Sequence, residues 1–375
     1  MKRIRRDEIR VGRPLPWAVY NSDGELLLRK GYVVRSANQV DRLVELGLYR
    51  GDTKAARRAE RRAPEPEPPG PEPTVFERML DLRERLQGVY RELLREPSEG
   101  ADTAGKVRRL AVDMRDICHG DTDAALAAVH LHLADDYRYD HPLHVAVLVE
   151  VLGERAGLME DERLSMACAA LTHDIGLAHV QGELDRQKGP LTERQWAYVR
   201  GHPERAVEIL RSHGIRDPIW QDAIRSHHER LDGSGYPAGL KGEEIPRNAR
   251  ILAISDVYSA MIRPRAYRDA VQSSDTLRRL FMERGATVDD EFTGLMVASL
   301  GIYPPGTFLR LDSGEIAVAV RRGIAANRPS IYAILSANGA PYAKPKRRES
   351  AAIKDVVPAN NFRSVWHRVE PCFAH

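Results

Sequence analysis

The strongest constraint on this chain is an apolar periodicity of about 3.6 residues, which runs from Lys106 to about Leu300. Glycines such as Gly157, Gly176 and Gly214 interrupt the pattern. Because this spacing places apolar side chains on one face of successive helices, the sequence predicts a mainly α protein. Its functional residues are expected at the breaks between helices.

Shorter segments precede this helical region. Residues 1–51 read as strand, turn, strand and helix, with a turn at residues 21–24 and a helix that ends near Gly47, which predicts a small α+β N-terminal module. Residues 52–74 are rich in Pro, Glu and Arg and cannot bury enough apolar surface to fold. We therefore expect a linker between the N-terminal module and a helical domain at residues 75–300.

The period changes after the helical domain. Two strand-like runs flank the turn residues Asp312, Ser313 and Gly314, so residues 301–345 are predicted to form a small β-hairpin-rich appendage. Residues 346–375 are basic and irregular, and we expect them to form a loosely ordered tail.

The helix predicted at residues 76–94 carries apolar side chains at helical spacing. Such a face packs either on its own domain or against a second copy of the chain. We favour packing on the domain, and a homodimer through this helix is the alternative.

Composition excludes several classes of protein. No stretch approaches the roughly 18 to 20 uninterrupted apolar residues that a membrane-spanning helix needs, and the charged N-terminus lacks a following apolar region, so no membrane span is expected. The three cysteines, Cys118, Cys168 and Cys372, are widely separated and predict neither a disulfide framework nor a thiolate zinc site. We therefore expect a cytoplasmic protein.

Charge gives no sign of a polymeric partner. The net charge is only +3 over 375 residues, and basic and acidic side chains are interspersed. This balance offers no argument for binding a nucleic-acid polymer, so an anionic ligand must be held locally.

Two short segments concentrate side chains that bind metals. His173-Asp174 lies at one break, and His227-His228 lies beside a glycine-rich loop at another. Imidazole and carboxylate ligands without cysteine suit Fe, Mn, Zn or Ni, with Fe or Mn favoured, rather than Mg alone or a closed structural zinc site. The candidate ligands are His141, His173, Asp174, His202, His227, His228 and Asp256.

Asp174 is the candidate bridge between two divalent metal ions. Its two oxygens would divide the other ligands into two sets, namely His141, His173 and Asp256 on one ion, and His202, His227 and His228 on the other. Two ions about 3.5 to 4 Å apart lower the pKa of a bridging water and offset phosphoryl charge. The sequence thus predicts phosphodiester hydrolysis, with His173 and Asp174 as the catalytic pair.

The order of these motifs resembles the HD-GYP family of HD-domain metal-dependent phosphohydrolases. The resemblance covers residues 135–270 and rests on Asp136-Tyr137, His141, His173-Asp174-Ile175-Gly176, Gly189-Pro190-Leu191-Thr192, His202-Pro203, His227-His228-Glu229, Asp232-Gly233-Ser234-Gly235-Tyr236-Pro237, Asp256-Val257-Tyr258 and Tyr267-Arg268. It implies an all-helical HD-type domain with the seven metal ligands above. It also implies an enzyme of bacterial second-messenger signalling, with signalling-protein partners, that opens cyclic di-GMP to pGpG or on to GMP.

The resemblance also suggests substrate contacts. Gly233 and Gly235 would let the backbone approach the substrate, and Tyr236 would lie against a base or reach a phosphate. Arg265 and Arg268 would hold the second phosphate. The plainer alternatives are a tight turn at the glycines and exposed helix charges at the arginines.

Two positions depart from the family pattern. Leu177 stands where the family usually has a lysine that contacts phosphate. An alternative function is therefore a receptor that binds cyclic di-GMP with weak or no hydrolysis. A phosphohydrolase for cyclic GMP-AMP or another nucleotide is a further alternative. Tyr137 stands where some members have a glutamate that binds a third metal, so we expect two metals.

Overall fold

The chain divides into two units, Met1–Glu72 and Pro73–His375. The computed structural model describes residues 2–20, 26–28, 30–34, 39–40, 43–44, 49–50, 72–131, 136–263, 271–349 and 352–373. The predicted turn at residues 21–24, the helix end at Gly47, most of the predicted linker, Arg265 and Arg268 lie outside the described residues.

Short antiparallel strands build the first unit. In the order β1-β4-β2-β3 they form one sheet. The strands are β1 (Lys2–Arg3), β2 (Val19–Tyr20), β3 (Leu26–Leu28) and β4 (Tyr49–Arg50). The small apolar core of this unit is formed by Ile4, Ile9, Leu15, Val19, Val34 and Val40.

Helices dominate the second unit, as the apolar periodicity predicts. They are α1 (Val75–Leu93), α2 (Thr103–Gly120), α3 (Thr122–Leu131), α4 (Tyr137–Arg155), α5 (Glu160–Thr172), α6 (Gln181–Arg186), α7 (Glu193–Arg200), α8 (His202–Ser212), α9 (Pro218–Ser226), α10 (Arg247–Ile262), α11 (Ser273–Glu283) and α12 (Asp290–Leu300). Within the described residues, no helix is both long and apolar enough to cross a bilayer. The predicted fold class is confirmed.

Helix α1 packs on its own domain. The side chain of Thr74 caps its first turn, and its apolar side chains, such as Leu82 and Leu86, join the main core. The Tyr90 hydroxyl donates to the Leu171 carbonyl at 3.1 Å, near the end of α5. Leu80, by contrast, is 41% exposed. The buried face of α1 is thus used within the chain, and a homodimer through this helix stays a prediction.

A five-stranded antiparallel sheet follows the helices in the order β8-β7-β6-β5-β9. Its strands are β5 (Phe308–Leu311), β6 (Ile316–Arg321), β7 (Ser330–Leu335), β8 (Pro341–Arg348) and β9 (Ile353–Val357). The predicted hairpin around Asp312, Ser313 and Gly314 corresponds to β5 and β6.

The expectation of a loosely ordered tail is wrong for the described part of residues 346–375. Strand β9 pairs with β5, and short 3-10 segments follow at Ala359–Arg368 and Glu370–Phe373. The Phe373 ring meets the Phe76 ring edge-to-face at 5.4 Å, and both are buried. The ordering comes from partners distant in sequence, which a local pattern does not reveal.

Replacing Phe373 by Ala tests whether the end of the chain is part of the folded unit. We expect Phe373→Ala to lower the free energy of unfolding by about 3 kcal/mol, because a buried ring and its aromatic contact are lost. Denaturant unfolding measures the change, and Phe281→Ala, which removes a ring that is 45% exposed, is the control. Equal stability of the two variants would contradict the packed tail.

Candidate metal centre

Three candidate histidines sit at helix ends. His173 follows α5, His202 begins α8 directly after α7, and His227 follows α9. Carbonyl groups in the last turn of a helix lack intrahelical partners, so they are available to accept from a side chain. Each histidine Nδ1 pairs with the carbonyl three residues earlier, at 2.8 Å to Ala170, 2.6 Å to Val199 and 2.6 Å to Ile224.

These hydrogen bonds fix the tautomer of each ring. With Nδ1–H donating to a carbonyl, Nε2 is left as the lone-pair atom. Among the described residues, the buried Nε2 atoms of His173, His202 and His227 have no hydrogen-bond partner. A buried polar atom without a partner costs free energy, so three of them converging indicate a ligand-binding centre.

His141 and Asp256 form the neighbouring part of the cluster. His141 lies on α4, where its Nε2 is 2.9 Å from Asp256 Oδ1 on α10, and its Nδ1 is 3.0 Å from Ser259 Oγ. The ring of Tyr137 stacks on His141 at 4.6 Å between centroids. Tyr137 thus covers one side of the cluster as an apolar ring.

Asp174 faces both sets of histidines. Its Oδ2 lies 3.6 Å from His173 Nε2 and 3.9 Å from His141 Nε2. Its Oδ1 lies 3.5 Å from His202 Nε2. Ligand atoms on one ion lie about 3 to 4 Å apart, because metal–nitrogen and metal–oxygen bonds are about 2 Å long. The carboxylate therefore has the orientation that a bridge requires.

Two groups of potential ligand atoms result. One contains His141, His173 and Asp174, and the other contains His202, His227 and His228, with the atoms of each group within 4.8 Å of one another. Asp256 lies beside both, because its Oδ2 is 3.9 Å from His228 Nδ1. The structure thus brings all seven predicted residues together, and their binding of metal stays a prediction.

Burial favours the neutral form of four of the imidazoles. Burial lowers the pKa of His141, His202 and His228, and together with His173 and His202 it lowers the pKa of His227 to about 3. Burial opposes ionisation of Asp174, but the adjacent histidines, His173 first, hold its pKa below the ordinary value. Neutral imidazole beside an ionised carboxylate is the protonation state that binds divalent metals.

Gly176 brings the His-Asp turn against α8. A Cβ at this position would lie 2.3 Å from the His202 carbonyl oxygen and 3.1 Å from the Ala206 nitrogen. Only glycine permits this approach of two backbones. The small residue therefore places Asp174 beside His202.

The loop after His228 is held by a buried carboxylate. Glu229 accepts hydrogen bonds from the backbone amides of Ala238, Gly239 and Leu240 at 2.7, 3.2 and 3.0 Å. A Cβ at Gly235 would lie 2.4 Å from the Arg230 nitrogen, so glycine is required for the loop to fold. Gly233 adopts a φ of +80°, which also favours a turn. Substrate contact by either glycine stays a prediction.

Two cavities open beside the candidate ligands. The larger, of about 730 Å³, is bordered by Asp174, His202, Asp256, Leu177 and Lys188. The smaller, of about 430 Å³, is bordered by His227, Gly235 and Arg200. Tyr236 lines both cavities and lies 4.7 Å from the His228 ring, between centroids. Burial raises the pKa of Tyr236, so its hydroxyl is protonated at neutral pH.

Sequence reasoning missed three residues around this centre. Glu229 adjoins the paired histidines, and a charged residue directly after this motif was the signal available in the sequence. Gly176 was recognised only as part of a motif, because its close contact depends on α8. Lys188 gave no local signal, and its place in the lining of the same cavity as Leu177 appears only in the folded protein.

The residues fit divalent metal ions. Four imidazoles with oriented rings, and a carboxylate whose oxygens face separate histidine sets, form the donor set that Fe, Mn, Zn or Ni accept. No cysteine lies among the seven candidate ligands. The fit rests on the orphaned Nε2 atoms and on these orientations.

Comparison with known families assigns the helical region. Residues 121–292 match the family described as HD domain. The resemblance to an HD-type domain that the sequence motifs indicate is therefore confirmed.

Individual relatives agree with this assignment. A cyclic di-GMP phosphodiesterase of Pseudomonas aeruginosa is 32% identical over 200 residues, which are 53% of this chain and 48% of the relative. A 3'3'-cGAMP-specific phosphodiesterase of Vibrio cholerae is 32% identical over 158 residues, 42% of this chain and 30% of the relative. The chain thus spans half or less of the length of these relatives.

A solved structure shares the fold. A protein of Bdellovibrio bacteriovorus, named an HDG"Y"P protein, superposes with a TM-score of 0.51 at 15% identity. The match covers 78% of this chain and 97% of that one. At this identity the likeness speaks for the fold alone.

Asp174→Ala tests the bridging orientation. We expect it to remove both metal ions, because each ion loses an oxygen ligand, whereas His202→Ala should weaken mainly one. Elemental analysis of metals per folded chain is the measurement, with circular dichroism to check the fold. Two ions per chain in Asp174→Ala would refute the bridge.

Glu229→Ala tests the anchoring of the loop. Three backbone amides lose their acceptor, so hydrogen exchange at Ala238, Gly239 and Leu240 should accelerate about tenfold or more. The control is Glu243→Ala, which removes a carboxylate that is 93% exposed. Unchanged exchange in Glu229→Ala would show that the loop does not depend on this carboxylate.

Proposed function

We propose that this chain is a metal-dependent phosphodiesterase that hydrolyses cyclic di-GMP to pGpG and/or GMP in bacterial second-messenger signalling. The observation that carries the proposal is the Asp174 carboxylate, which borders a cavity of about 730 Å³ and whose oxygens face separate histidine sets. The names of the relatives support cyclic dinucleotides as the substrate class.

Two divalent metal ions are the proposed cofactors, with Fe or Mn favoured and Zn or Ni as alternatives. His141, His173 and Asp256 would hold one ion, His202, His227 and His228 the other, and Asp174 both. When bound, the ions would supply Lewis acidity that activates water and offsets phosphate charge.

The residues of the chain supply orientation and binding. The last-turn carbonyls hold His173, His202 and His227 with their Nε2 atoms inward. Tyr236 forms the wall against which the nucleotide is placed. Lys188 is the only lysine or arginine among the described residues bordering the larger cavity, and its ammonium would pair with a phosphate there.

Leu177 favours a second candidate, a cyclic di-GMP receptor with weak or no hydrolysis. Its side chain borders the larger cavity and is 8% exposed. Because leucine is apolar, it supplies no charge where the family usually has lysine. A phosphodiesterase specific for cyclic GMP-AMP is a third candidate, in line with the name of the Vibrio cholerae relative.

We place the protein in the cytoplasm, with signalling proteins as partners and no nucleic-acid polymer as a ligand. Arg265 and Arg268 are proposed to hold the second phosphate, and a homodimer through residues 76–94 is the alternative to a monomer.

Turnover of cyclic dinucleotides decides among these candidates. Protein purified anaerobically and loaded with Fe(II) or Mn(II) is expected to convert cyclic di-GMP to pGpG or GMP, as followed by chromatography. Cyclic GMP-AMP is assayed beside it, and the larger kcat/KM identifies the substrate. Binding without turnover, with both metals confirmed, would favour the receptor and overturn the enzyme.

The proposed phosphate contact of the Lys188 ammonium is tested separately. We expect Lys188→Ala to reduce kcat/KM about ten- to a hundredfold, since a charge-assisted contact contributes about 1.5 to 3 kcal/mol. Adding Leu177→Lys to this variant should recover much of the loss, because a lysine then borders the same cavity. An unchanged kcat/KM in Lys188→Ala would remove Lys188 from the site.

A further inference from the structure

Trp196 marks the boundary between the two cavities. Its indole is 46% exposed on α7 and borders both of them. The two cavities also share His228, Tyr236 and Val257, so they meet directly over the candidate metal ligands. Each volume lies within the range of about 300 to 1,000 Å³ that small-molecule sites occupy.

Arg200 lies one helical turn after Trp196. Its guanidinium carbon is 5.8 Å from the centre of the Trp196 ring, and Arg200 borders the smaller cavity. Within the described part of the chain, no carboxylate or other acceptor pairs with Arg200, whereas Arg250 in the same cavity pairs with Asp289 at 2.8 Å. The guanidinium therefore keeps its hydrogen-bond donors for a ligand.

Helix α7 exposes both of these side chains. Thr192 and Gln195 form a capping box that fixes its first turn, and the helix buries none of its residues. Packing therefore does not account for a tryptophan at this place. An exposed indole beside an unpaired guanidinium has the chemistry of a nucleobase platform, since bases stack on aromatic rings and arginine donates two hydrogen bonds to guanine O6 and N7.

We propose that Trp196 and Arg200 bind one guanine of the cyclic dinucleotide, with the indole stacked on the base and the guanidinium on its O6/N7 edge. This inference rests on the proposed function. The base would occupy the smaller cavity beside Tyr236, while the phosphate to be cleaved lies over the ligand cluster in the larger one. Adenine carries an amino group in place of O6, so Arg200 selects guanine.

Binding and turnover of matched variants test the platform. Calorimetry with a non-hydrolysable phosphorothioate analogue of cyclic di-GMP gives Kd, and turnover of cyclic di-GMP gives KM and kcat. Trp196→Ala should raise Kd and KM about five- to a hundredfold with a smaller change in kcat, and Trp196→Phe should restore most of the affinity. Metal content should stay at the wild-type level.

The arginine is tested by discrimination between bases. Wild type should prefer the guanine analogue over the corresponding cyclic di-AMP analogue, and Arg200→Ala should lose most of that preference, about tenfold or more. Arg194→Ala, on the exposed surface of the same helix, is the control and should match wild type.

The outcomes separate the platform from the enzyme. If the analogue binds through Trp196 but cyclic di-GMP is not hydrolysed, the proposed function fails and the platform stands. If Trp196→Ala and Arg200→Ala both behave like Arg194→Ala, the platform is overturned while hydrolysis stands. If wild type binds no dinucleotide analogue, both are overturned.

Discussion

The centre depends on hydrogen bonds between histidine Nδ1 atoms and carbonyls in the last turns of helices. A helix end leaves carbonyls without partners, and a histidine placed three residues later uses one of them. The same contact satisfies the backbone, fixes the tautomer and turns Nε2 inward. Three helices that end around one point therefore produce three oriented candidate ligands, and the candidate site lies at the breaks in the helical pattern.

Much of this arrangement is predictable from the sequence. The helical periodicity gives the fold class, and the residue types in His173-Asp174 and His227-His228 give the chemistry, because few side chains bind such metals. The relative placement is not predictable from local pattern: Gly176 lies against the His202 carbonyl, and β9 pairs with β5. These contacts join segments far apart in the chain, so no local period records them. The same holds for Lys188 and Trp196, which read as ordinary surface residues until the cavities are seen.

Leucine in place of lysine at position 177 has a different consequence for phosphate binding once the fold is known than the sequence alone suggests. A cation acts on a phosphate by its place in the cavity, and its place in the chain is secondary. Leu177 and Lys188 border the same cavity, so an apolar side chain and a lysine both contribute to its lining. An ammonium on a flexible four-carbon stem reaches a phosphate from several positions in a cavity, so the charge does not depend on a lysine at position 177.

The loop between the two cavities connects the candidate metal ligands to the proposed nucleotide wall. His228 and Glu229 are adjacent, so the residue that offers a metal ligand and the residue that anchors the loop share one peptide bond. Glu229 holds Ala238, Gly239 and Leu240 through their amides, and Tyr236, between these anchors, lies over the His228 ring. A displacement of the loop therefore moves the wall of both cavities relative to a candidate metal ligand. Because these elements share one anchor, the ligand cluster and the nucleotide wall are expected to form or fail together.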